Sequence, residues 1–280
     1  MTRRAHRPPS RHPRPPMAFF FTGAGLSADS GVPTFYGTNG AYGRFSNPED
    51  VVSGDTLKSN PTLLNRFVDD MRVGLGKVSP NEAHKAVARL AADYGNSFVH
   101  ITQNIDDLVE RAGYAQSIHV HGFLTRMRQY ANPKKTEDIG YTRYWDGDAS
   151  LAPARGFQFR GDGNNSRYRP DVVLFGEDAP LYAHLLDTVS DLRSDDIAVV
   201  VGTRGEVVPI GYMLARKRCR KVLLNLHPSD ALPPEFFSDS IVGRAAEWIG
   251  KVEEMVRDHL GAPTASLDET AAATKAAVPV

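Results

Sequence analysis

Residues 19–35 read FFFTGAGLSADSGVPTF, and this stretch decides the fold. Its apolar start predicts a buried strand, and a Gly-x-Gly-x-x-Ala turn over 23–28 follows directly. Such a turn lets the backbone approach a pyrophosphate closely at the positive end of a helix. Gly31 and Pro33 end that helix after roughly two turns. The chain then carries Phe35 beyond the phosphate site, so we interpret this stretch as a loop that covers a bound nucleotide.

The composition narrows the class of protein. The chain has 280 residues, of which 41% are hydrophobic and 24% charged, and its formal net charge is zero. These values are typical of a globular protein and give no reason to expect nucleic acid or an anionic membrane as partner. No apolar run is long enough to span a bilayer. The single cysteine, Cys219, excludes disulfides within the chain and favours a reducing, cytoplasmic setting.

Two tails flank the predicted domain. Residues 1–16 carry five arginines among prolines and no acid, which predicts a disordered basic tail. Whether the protein starts at Met1 or at Met17 is left open. Residues 261–280 are rich in Ala and Thr and predict a second tail. We expect residues 17–260 to form the folded domain.

Short apolar runs alternate with amphipathic segments through this domain, which predicts an α/β fold with a doubly wound, Rossmann-like parallel sheet. Strands are predicted at 18–22, 97–102, 117–120, 172–175, 197–201 and 222–226. Helices are predicted at 60–73, 80–94, 178–191, 209–218 and 243–260. Residues 36–78 and 123–170 do not follow this alternation, and we interpret them as insertions, the second forming a small module.

The segment from Gln103 to Asp106 follows a predicted strand, where ligands bind in this architecture. Asn104 and Asp106 offer an amide and a carboxylate that suit a carboxamide and a ribose hydroxyl. The alternative is helix capping, since either side chain satisfies free amides at a helix start. From this segment alone, capping is favoured.

Two histidines end another predicted strand. Alternation places His119 and His121 on the same face, and a histidine at this end of a strand can act as a base near neutral pH. A metal site is a second interpretation, but the neighbouring sequence offers no third ligand. A structural role for each histidine is the third.

Two glycine-containing segments, 169–177 and 202–209, end later strands. Gly176 and Gly205 leave backbone groups open for pairing with an extended peptide, although both segments also suit simple strand-to-helix turns. Asn225 ends the last predicted strand and suits either an adenosine ribose or a capping role.

In this order, these segments resemble the sirtuin (Sir2) family of NAD-dependent protein deacylases, over about residues 17–260. The stretch 23–33 is similar to that family's cofactor loop. The other segments, 102–106, His121-Gly122, 169–177, 202–209 and Asn225, fall where later family motifs fall.

The resemblance implies that NAD is a co-substrate, with its pyrophosphate at Ala24 and Gly25 and its nicotinamide near Asn104, Ile105 and Asp106. The implied NAD-binding residues are Gly23, Ala24, Gly25, Ser27, Ala28, Pro33, Thr34, Phe35, Tyr36, Gln103, Asn104, Ile105, Asp106, His121, Gly202, Thr203, Arg204 and Asn225. An acyl-lysine peptide is implied to pair with Val173, Phe175, Gly176, Glu177, Gly205, Glu206 and Val207.

The resemblance also implies a mechanism with His121, Asn104 and Asp106 as catalytic residues. The acyl oxygen attacks the ribose carbon as nicotinamide leaves, and His121 then deprotonates a ribose hydroxyl that attacks the alkylimidate. Free lysine, nicotinamide and O-acyl-ADP-ribose are the products, and Phe35 shields the reactive ribose. Deacetylation is the default reaction.

The chain departs from the family pattern at several places. Residues 123–170 contain no Cys or His, so the family's zinc site is expected to be absent and the module to be held by packing of aromatic residues. These are Tyr130, Tyr141, Tyr144, Trp145, Phe157 and Phe159. Tyr36 stands where the family has Arg, and we hypothesise that Arg204 replaces the lost charge.

The preferred acyl chain is open at this stage. Family members that act on acidic acyl groups use a Tyr and Arg pair at the start of the small module. Arg126, Arg128 and Tyr130 lie in roughly that region, at a spacing that permits no transfer of roles. Exposed arginine is usually a solvated charge, so an acidic acyl group is only an alternative to acetyl.

Two other functions are compatible with the sequence. A protein ADP-ribosyltransferase or NAD glycohydrolase would cleave the same bond, but hydrolysis needs no peptide cleft. A catalytically weak module that binds NAD or ADP-ribose is the second, supported by Tyr36, Arg204 and the zinc-free insertion.

Overall fold

The computed structural model describes residues 14–33, 51–143 and 168–263. Thr34, Phe35 and Tyr36 lie outside these ranges, as do most of both predicted tails. Arg14, counted above in the basic tail, donates to both carboxylate oxygens of the buried Asp196 at 2.7 Å. The ordered chain therefore begins before Met17.

The described chain contains nine strands and eight α-helices. The strands are β1 (Ala18–Thr22), β2 (Phe98–Thr102), β3 (Ile118–His119), β4 (Gly122–Gln129), β5 (Thr136–Asp138), β6 (Tyr168–Val172), β7 (Ile197–Val201), β8 (Arg220–Asn225) and β9 (Asp239–Val242). The helices are α1 (Gly25–Ala28), α2 (Gly54–Ser59), α3 (Pro61–Leu75), α4 (Glu82–Tyr94), α5 (Leu108–Arg111), α6 (Tyr182–Ser190), α7 (Ile210–Leu214) and α8 (Ala245–Leu260).

The larger sheet confirms the predicted doubly wound fold. Six parallel strands lie in the order β3-β2-β1-β7-β8-β9. Strand β1 is central and all five of its residues are buried, because both faces of the sheet are covered. Phe20 packs with helices α4 and α8 on one face, while Phe19 and Phe21 pack with α6 and α7 on the other.

Helix boundaries differ from the predictions in several helices, and in α4 a side chain that caps the backbone explains the difference. Helix α4 begins at Glu82, not Pro80, because the Asn81 side chain accepts the N–H of Ala83 and His84. The short α1 has a single turn instead of two. Two more helices are shorter than predicted: α6 begins only at Tyr182, and α7 already ends at Leu214.

The prediction of a strand at 172–175 was wrong. The strand in this part of the chain is β6, which ends at Val172. It pairs antiparallel with β4 in a three-stranded sheet of order β5-β4-β6. Phe175 instead pairs with the segment before α2: its N–H donates to Val52 and its carbonyl accepts from Gly54. Strand β9 was missed because its residues alternate between half-buried and exposed and form no apolar run.

The two predicted insertions meet in one hydrophobic cluster. Leu64 and Val68 of α3, from the first insertion, pack with Leu124 of β4 and Val172 of β6. The small sheet and helices α2 and α3 therefore share a core of their own beside the large sheet.

A buried arginine, paired with an aspartate within α3, bonds that helix to the small sheet. Arg72 of α3 is fully buried and pairs with Asp69 one turn earlier. Its Nε donates to the carbonyl of Leu124 at 2.7 Å, and one terminal nitrogen lies 3.7 Å from the sulfur of Met127. Burial lowers the pKa of Arg72, while the Asp69 charge acts in the opposite direction.

The predicted aromatic packing of the small module is only partly found. Tyr141 donates to Asp107 and lies under the guanidinium of Arg111. Tyr130 is 44% exposed, so it does not serve as a core residue. The other residues of that prediction, Tyr144, Trp145, Phe157 and Phe159, lie outside the described ranges.

Among the described residues, no helix combines the length and apolarity that a bilayer crossing needs. Nor do residues 14–33, 51–143 and 168–263 bring three or more His, Cys, Asp or Glu side chains together as metal ligands.

Candidate active site

The first glycines of the site are required by close contact between two strand ends. Gly25 N–H donates to the Gly202 carbonyl at 2.8 Å, so the turn after β1 lies directly against the turn after β7. A Cβ on Gly25 would lie 2.6 Å from the Cα of Gly202, closer than any side chain tolerates. Gly202 also has a φ of 63°, which favours glycine.

A cavity of about 910 Å³ opens at the carboxyl ends of the parallel strands. It brings together most of the residues predicted to bind NAD: Gly23, Ala24, Gly25, Ala28, Gln103, Asn104, Ile105, His121, Gly202, Thr203, Arg204 and Asn225. It is also lined by every residue predicted to meet the peptide: Val173, Phe175, Gly176, Glu177, Gly205, Glu206 and Val207. Its position matches the ligand site of open α/β sheets.

A second cavity of about 190 Å³ adjoins the first. Both are lined by Ala24, Asn104 and Ile105, and only the smaller one also by Ser27, Pro33 and Asp106. The predicted residues are thus divided between a large cleft and a small side chamber.

His121 lines the large cavity, with one ring nitrogen bonded to the backbone. Its Nδ1 lies 2.9 Å from the carbonyl of Gln103, which only accepts, so Nδ1 carries the hydrogen and Nε2 keeps its lone pair. Burial lowers the pKa of His121, with the Gln103 carbonyl acting against that shift, so the ring is neutral at neutral pH. Its backbone is fixed too, since its carbonyl accepts the N–H of Val173.

His119 has a structural role instead. Its Nδ1 lies 2.8 Å from the Asn104 carbonyl, and its Nε2 lies 2.9 Å from a carboxylate oxygen of Glu110. The ring also packs on Phe123, with centroids 3.9 Å apart. The two histidines therefore bond to two consecutive carbonyls of the same loop. Both ring nitrogens of His119 have partners, whereas for His121 only Nδ1 is bonded among the described residues. The metal interpretation has no support in this arrangement.

A buried hydrogen-bond network lies beneath the side chamber. The hydroxyl of Ser27 contacts His84 Nε2 at 3.0 Å, the Asn104 amide nitrogen at 3.1 Å and Asp106 Oδ2 at 2.8 Å. Ser27 is fully buried, so it links neighbouring residues and does not face the large cavity.

The directions of these bonds follow from His84. The Asn81 N–H donates to its Nδ1, so Nε2 carries the hydrogen and donates to Ser27. Asn104 donates to Ser27 as well, which leaves the Ser27 proton for Asp106. Burial and the positive charge of Arg111 lower the pKa of His84 to about 4, so the ring stays neutral.

Sequence reasoning missed His84. Its signal is present, because an Asn followed three residues later by a side chain that can accept a backbone N–H is the pattern of a capping box. That the same ring reaches Ser27 with its other nitrogen is visible only in three dimensions.

The capping interpretation of Asp106 holds for one oxygen, while its contact with a ligand stays a prediction. Oδ1 accepts the N–H of Leu108 at 3.1 Å at the start of α5, and Oδ2 accepts from Ser27. Burial raises the pKa of Asp106, while these two donors act to lower it. The side chain of Asn104 is oriented by the same network, so the loop is rigid before any ligand arrives.

The nucleotide end of the large cavity is built around Thr203. Its carbonyl accepts the Asn225 amide at 2.9 Å, and its hydroxyl accepts the Gln103 amide at 3.2 Å. Arg204 pairs with Glu206 at 2.8 Å and is more than half exposed. Its role as a replacement for the charge absent at Tyr36 stays a prediction.

The peptide side differs from prediction at Phe175, whose backbone N–H and carbonyl are already bonded to residues 52 and 54. Glu177 is held by both terminal nitrogens of Arg169, and its Oε2 accepts the N–H of Leu174. The carboxylate of Glu177 thus shapes the turn, and Gly176, with a φ of 81°, forms its tip.

The residues considered for acidic acyl recognition lie elsewhere. Arg128 is 3.5 Å from Glu177, and Arg126 is 3.2 Å from Asp171 with its guanidinium 3.8 Å over the Phe123 ring. Neither arginine lines the two cavities, and Tyr130 does not either.

Comparisons with known proteins identify the family of the chain. The Sir2 family model matches residues 23–209. An NAD-dependent protein deacylase from Campylobacter jejuni is 33% identical over 231 residues, covering 82% of this chain and 91% of its own.

Solved Sir2 structures share the fold. A Sir2 homologue bound to NAD is 27% identical with a TM-score of 0.70, covering 88% of this chain and 91% of its own. A Sir2 complex with a deacetylated p53 peptide and 3′-O-acetyl ADP-ribose is 26% identical with a TM-score of 0.69, covering 85% and 93%. The chain described here belongs to the Sir2 family of NAD-dependent protein deacylases.

Proposed function

We propose that this deacylase uses His121 as its general base and that acetyl-lysine peptides are among its substrates. The observation that carries this proposal is the unpaired Nε2 of a neutral His121 at the wall of the large cavity. A base held in this state takes up a proton at neutral pH without first losing one.

The residues present fit NAD. Gly23, Gly25 and Gly202 have no side chains that would obstruct a dinucleotide, and Asn225 lines the same cavity. When bound, NAD supplies the ribose carbon that accepts the acyl oxygen as nicotinamide departs. Asn104 and Asp106 line the side chamber, where a planar amide of nicotinamide size fits beside them.

His121 then receives the proton of a ribose hydroxyl at Nε2, while the bond from Nδ1 to Gln103 fixes the plane of the ring. The acyl-lysine peptide lies between the Gly176–Glu177 turn and residues 205–207. Val207, which is 49% exposed, lines the same cavity. The peptide seen in a related Sir2 complex supports this half of the proposal.

We propose further that the small module holds no structural zinc. The only cysteine of the chain is Cys219, in the large domain, and the bond from Arg72 to the Leu124 carbonyl joins the module to α3. A cytoplasmic location, without membrane or nucleic acid partners, is the accompanying proposal from composition.

The test is an NAD-consumption assay with acetylated, succinylated and unmodified lysine peptides of one sequence. His121→Ala is expected to lower kcat by roughly 10²–10⁴-fold. His184→Ala, an exposed histidine on α6, is the matched control and keeps full activity. NAD cleavage without any acyl-lysine would instead support the glycohydrolase or transferase function, and binding of NAD without turnover a binding module.

A further inference from the structure

Three side chains are stacked where the large sheet meets the small one. The ring centroids of His119 and Phe123 lie 3.9 Å apart, and the guanidinium carbon of Arg126 lies 3.8 Å from the Phe123 centroid. One face of the ring has no room for two groups at these distances, so they cover opposite faces. His119 ends β3 of the large sheet, whereas Phe123 and Arg126 belong to β4 of the small sheet. The stack therefore connects the two sheets.

An irregularity in β4 brings Phe123 and Arg126 together. Residues three apart on a regular strand point to opposite faces of the sheet. The pairing of β4 with β6, however, changes register between Gly122 and Met127, and Arg126 returns to the side of the ring. Such irregularities often redirect a side chain beside a functional site.

Asp171 holds the outer end of the stack. Its Oδ2 lies 3.2 Å from Arg126 Nε, and Asp171 is buried. Burial raises the pKa of Asp171, and the charge of Arg126 acts against that shift. A Cβ on Gly122 would overlap the Asp171 carbonyl oxygen, so the start of β4 lies directly against the same residue. Arg126 therefore has little freedom to leave the Phe123 ring.

The inner end of the stack lies on the loop that forms the side chamber. His119 Nδ1 lies 2.8 Å from the Asn104 carbonyl, and Asn104 lines both cavities. The preceding carbonyl, that of Gln103, is bonded to His121. Glu110 lies 2.9 Å from the other ring nitrogen of His119. These bonds hold the two edges of the His119 ring, and Phe123 supports its face.

We propose that Arg126 is a positioning residue for the reaction, which acts through Phe123 and His119 on the Asn104 loop. The inference rests on the proposed function, in which nicotinamide occupies the chamber beside Asn104. Arg126 lines neither cavity, so the stack is its route to the reaction. A cation over an aromatic face contributes roughly two- to fivefold to an equilibrium constant at a partly exposed site, and Arg126 is 34% exposed.

Arg126→Met removes the cation and keeps an apolar chain beside the ring. We expect the dissociation constant of nicotinamide, measured with the full chain in saturating ADP-ribose, to rise about two- to fivefold. With saturating NAD, kcat on an acetyl-lysine peptide should fall by a similar factor, while peptide KM stays within about twofold. A role limited to stability would lower the free energy of unfolding in urea and leave the nicotinamide constant of the folded protein unchanged.

Arg128→Met is the matched variant, since Arg128 lies two residues further along β4 but 3.5 Å from Glu177 of the peptide turn. It should raise peptide KM and leave nicotinamide binding unchanged, which is the reverse of the pattern at Arg126. Arg66→Met, exposed on α3, should change neither. A nicotinamide constant that rises equally in the Arg126 and Arg128 variants would assign the effect to the charge of the strand and overturn the proposal.

A double-mutant cycle tests the route through the ring. Phe123→Leu should weaken nicotinamide binding as Arg126→Met does, and the combined variant should bind no more weakly than Phe123→Leu alone. Effects that multiply in the combined variant would overturn the route. Arg126→Lys keeps a charge for Asp171 without a flat group over the ring, so its constant should lie between those of wild type and Arg126→Met. It replaces the methionine variant if that variant fails to fold.

Failure of this inference is distinguishable from failure of the proposed function. An unchanged nicotinamide constant in both Arg126→Met and Phe123→Leu overturns the positioning role while deacylation stands. Absence of NAD consumption by the wild type with every acylated peptide overturns the proposed function, whereas nicotinamide binding, which needs no turnover, still decides the role of Arg126. A wild type that binds no nicotinamide in the presence of ADP-ribose overturns this inference together with the assignment of the chamber.

Discussion

The two hydrophobic clusters flanking the site are stabilised in different ways. In the large sheet, strands β1 and β7 are buried throughout, and the polar side chains there, such as His84 and His100, are neutral. The small sheet with α3 depends on charges, because Arg72 pairs with Asp69 and Arg169 with Glu177. The stability of the large sheet therefore depends on its histidines staying neutral. The stability of the small sheet with α3 depends instead on both charges of each ion pair being present.

The largest effect is expected from breaking the buried ion pair of α3, whose arginine also bonds the small sheet. Arg72→Met removes the cation that faces the buried Asp69 carboxylate, and removing one partner of a buried pair costs about 3–5 kcal/mol. Urea unfolding of the variant measures the loss.

The matched control is the double variant Asp69→Leu with Arg72→Met. Because both charges are removed, most of the lost free energy of unfolding should return. A double variant no more stable than the single one would show that the geometry of α3, and not the charges, holds the small sheet.

The large sheet should instead lose stability in mild acid. Burial, with smaller contributions from His119 and His84, lowers the pKa of His100 to about 3, so the folded state resists the proton that the unfolded chain accepts near pH 6.5. Stability is therefore complete above that pH and falls as pH decreases, by about 2 kcal/mol for His100 between pH 7 and pH 5.

His100→Gln tests this dependence. The variant loses the hydrogen-bonding ring at every pH, but its unfolding free energy should fall less between pH 7 and pH 5, by about 2 kcal/mol. Parallel curves for variant and wild type would assign the acid loss to other groups, His84 first among them.

A smaller effect is expected at the peptide turn. Glu177→Gln keeps the shape but removes the charge that Arg169 needs, at a cost of about 2 kcal/mol, and should raise KM for the peptide more than it changes kcat. Burial alone would raise the pKa of Glu177, yet Arg169 and the Leu174 N–H hold it below its usual range, so this contribution disappears only in acid. Glu247→Gln, exposed on α8, is the control, and an equal KM change there would refute the role.

The smallest effect is expected at Glu110→Gln, which weakens the support of His119 by about 1 kcal/mol. Since His119 holds the Asn104 carbonyl, inhibition by added nicotinamide should weaken about two- to fivefold while peptide KM stays constant. Glu254→Gln, on the exposed face of α8, is the control. If nicotinamide inhibition is unchanged in both variants, Glu110 and His119 do not position Asn104.

Sequence reasoning predicted the large sheet well and the smaller unit poorly, for a physical reason. Strand β1 has the predicted bounds because its apolar run is buried on both faces and needs no partner of particular identity. The segment at 172–175 has the same apolar character, but its hydrogen-bond partners at 52 and 54 are more than a hundred residues away. Hydrophobicity does not specify such partners.

The site shows the same limit. Motif order placed Gly23, Asn104 and His121 at one cavity, because strand ends in a parallel sheet meet at one edge. The order of the motifs could not show that the Ser27 hydroxyl bonds only to buried protein groups, or that His84 is one of them. Both facts depend on the direction of single hydrogen bonds. Spacing predicted where residues meet, but not which atoms remain available.

The Arg72 ion pair has a consequence for heating and cooling. The cost of dehydrating a buried charge falls as temperature rises, while hydrophobic stabilisation levels off when warm and weakens in the cold. On warming, the contact between α3 and the small sheet should therefore become more stable relative to the large sheet. On cooling, the same contact should lose more stability than the large sheet does. In this protein we therefore expect cooling to loosen the contact between α3 and the small sheet before it loosens the large sheet.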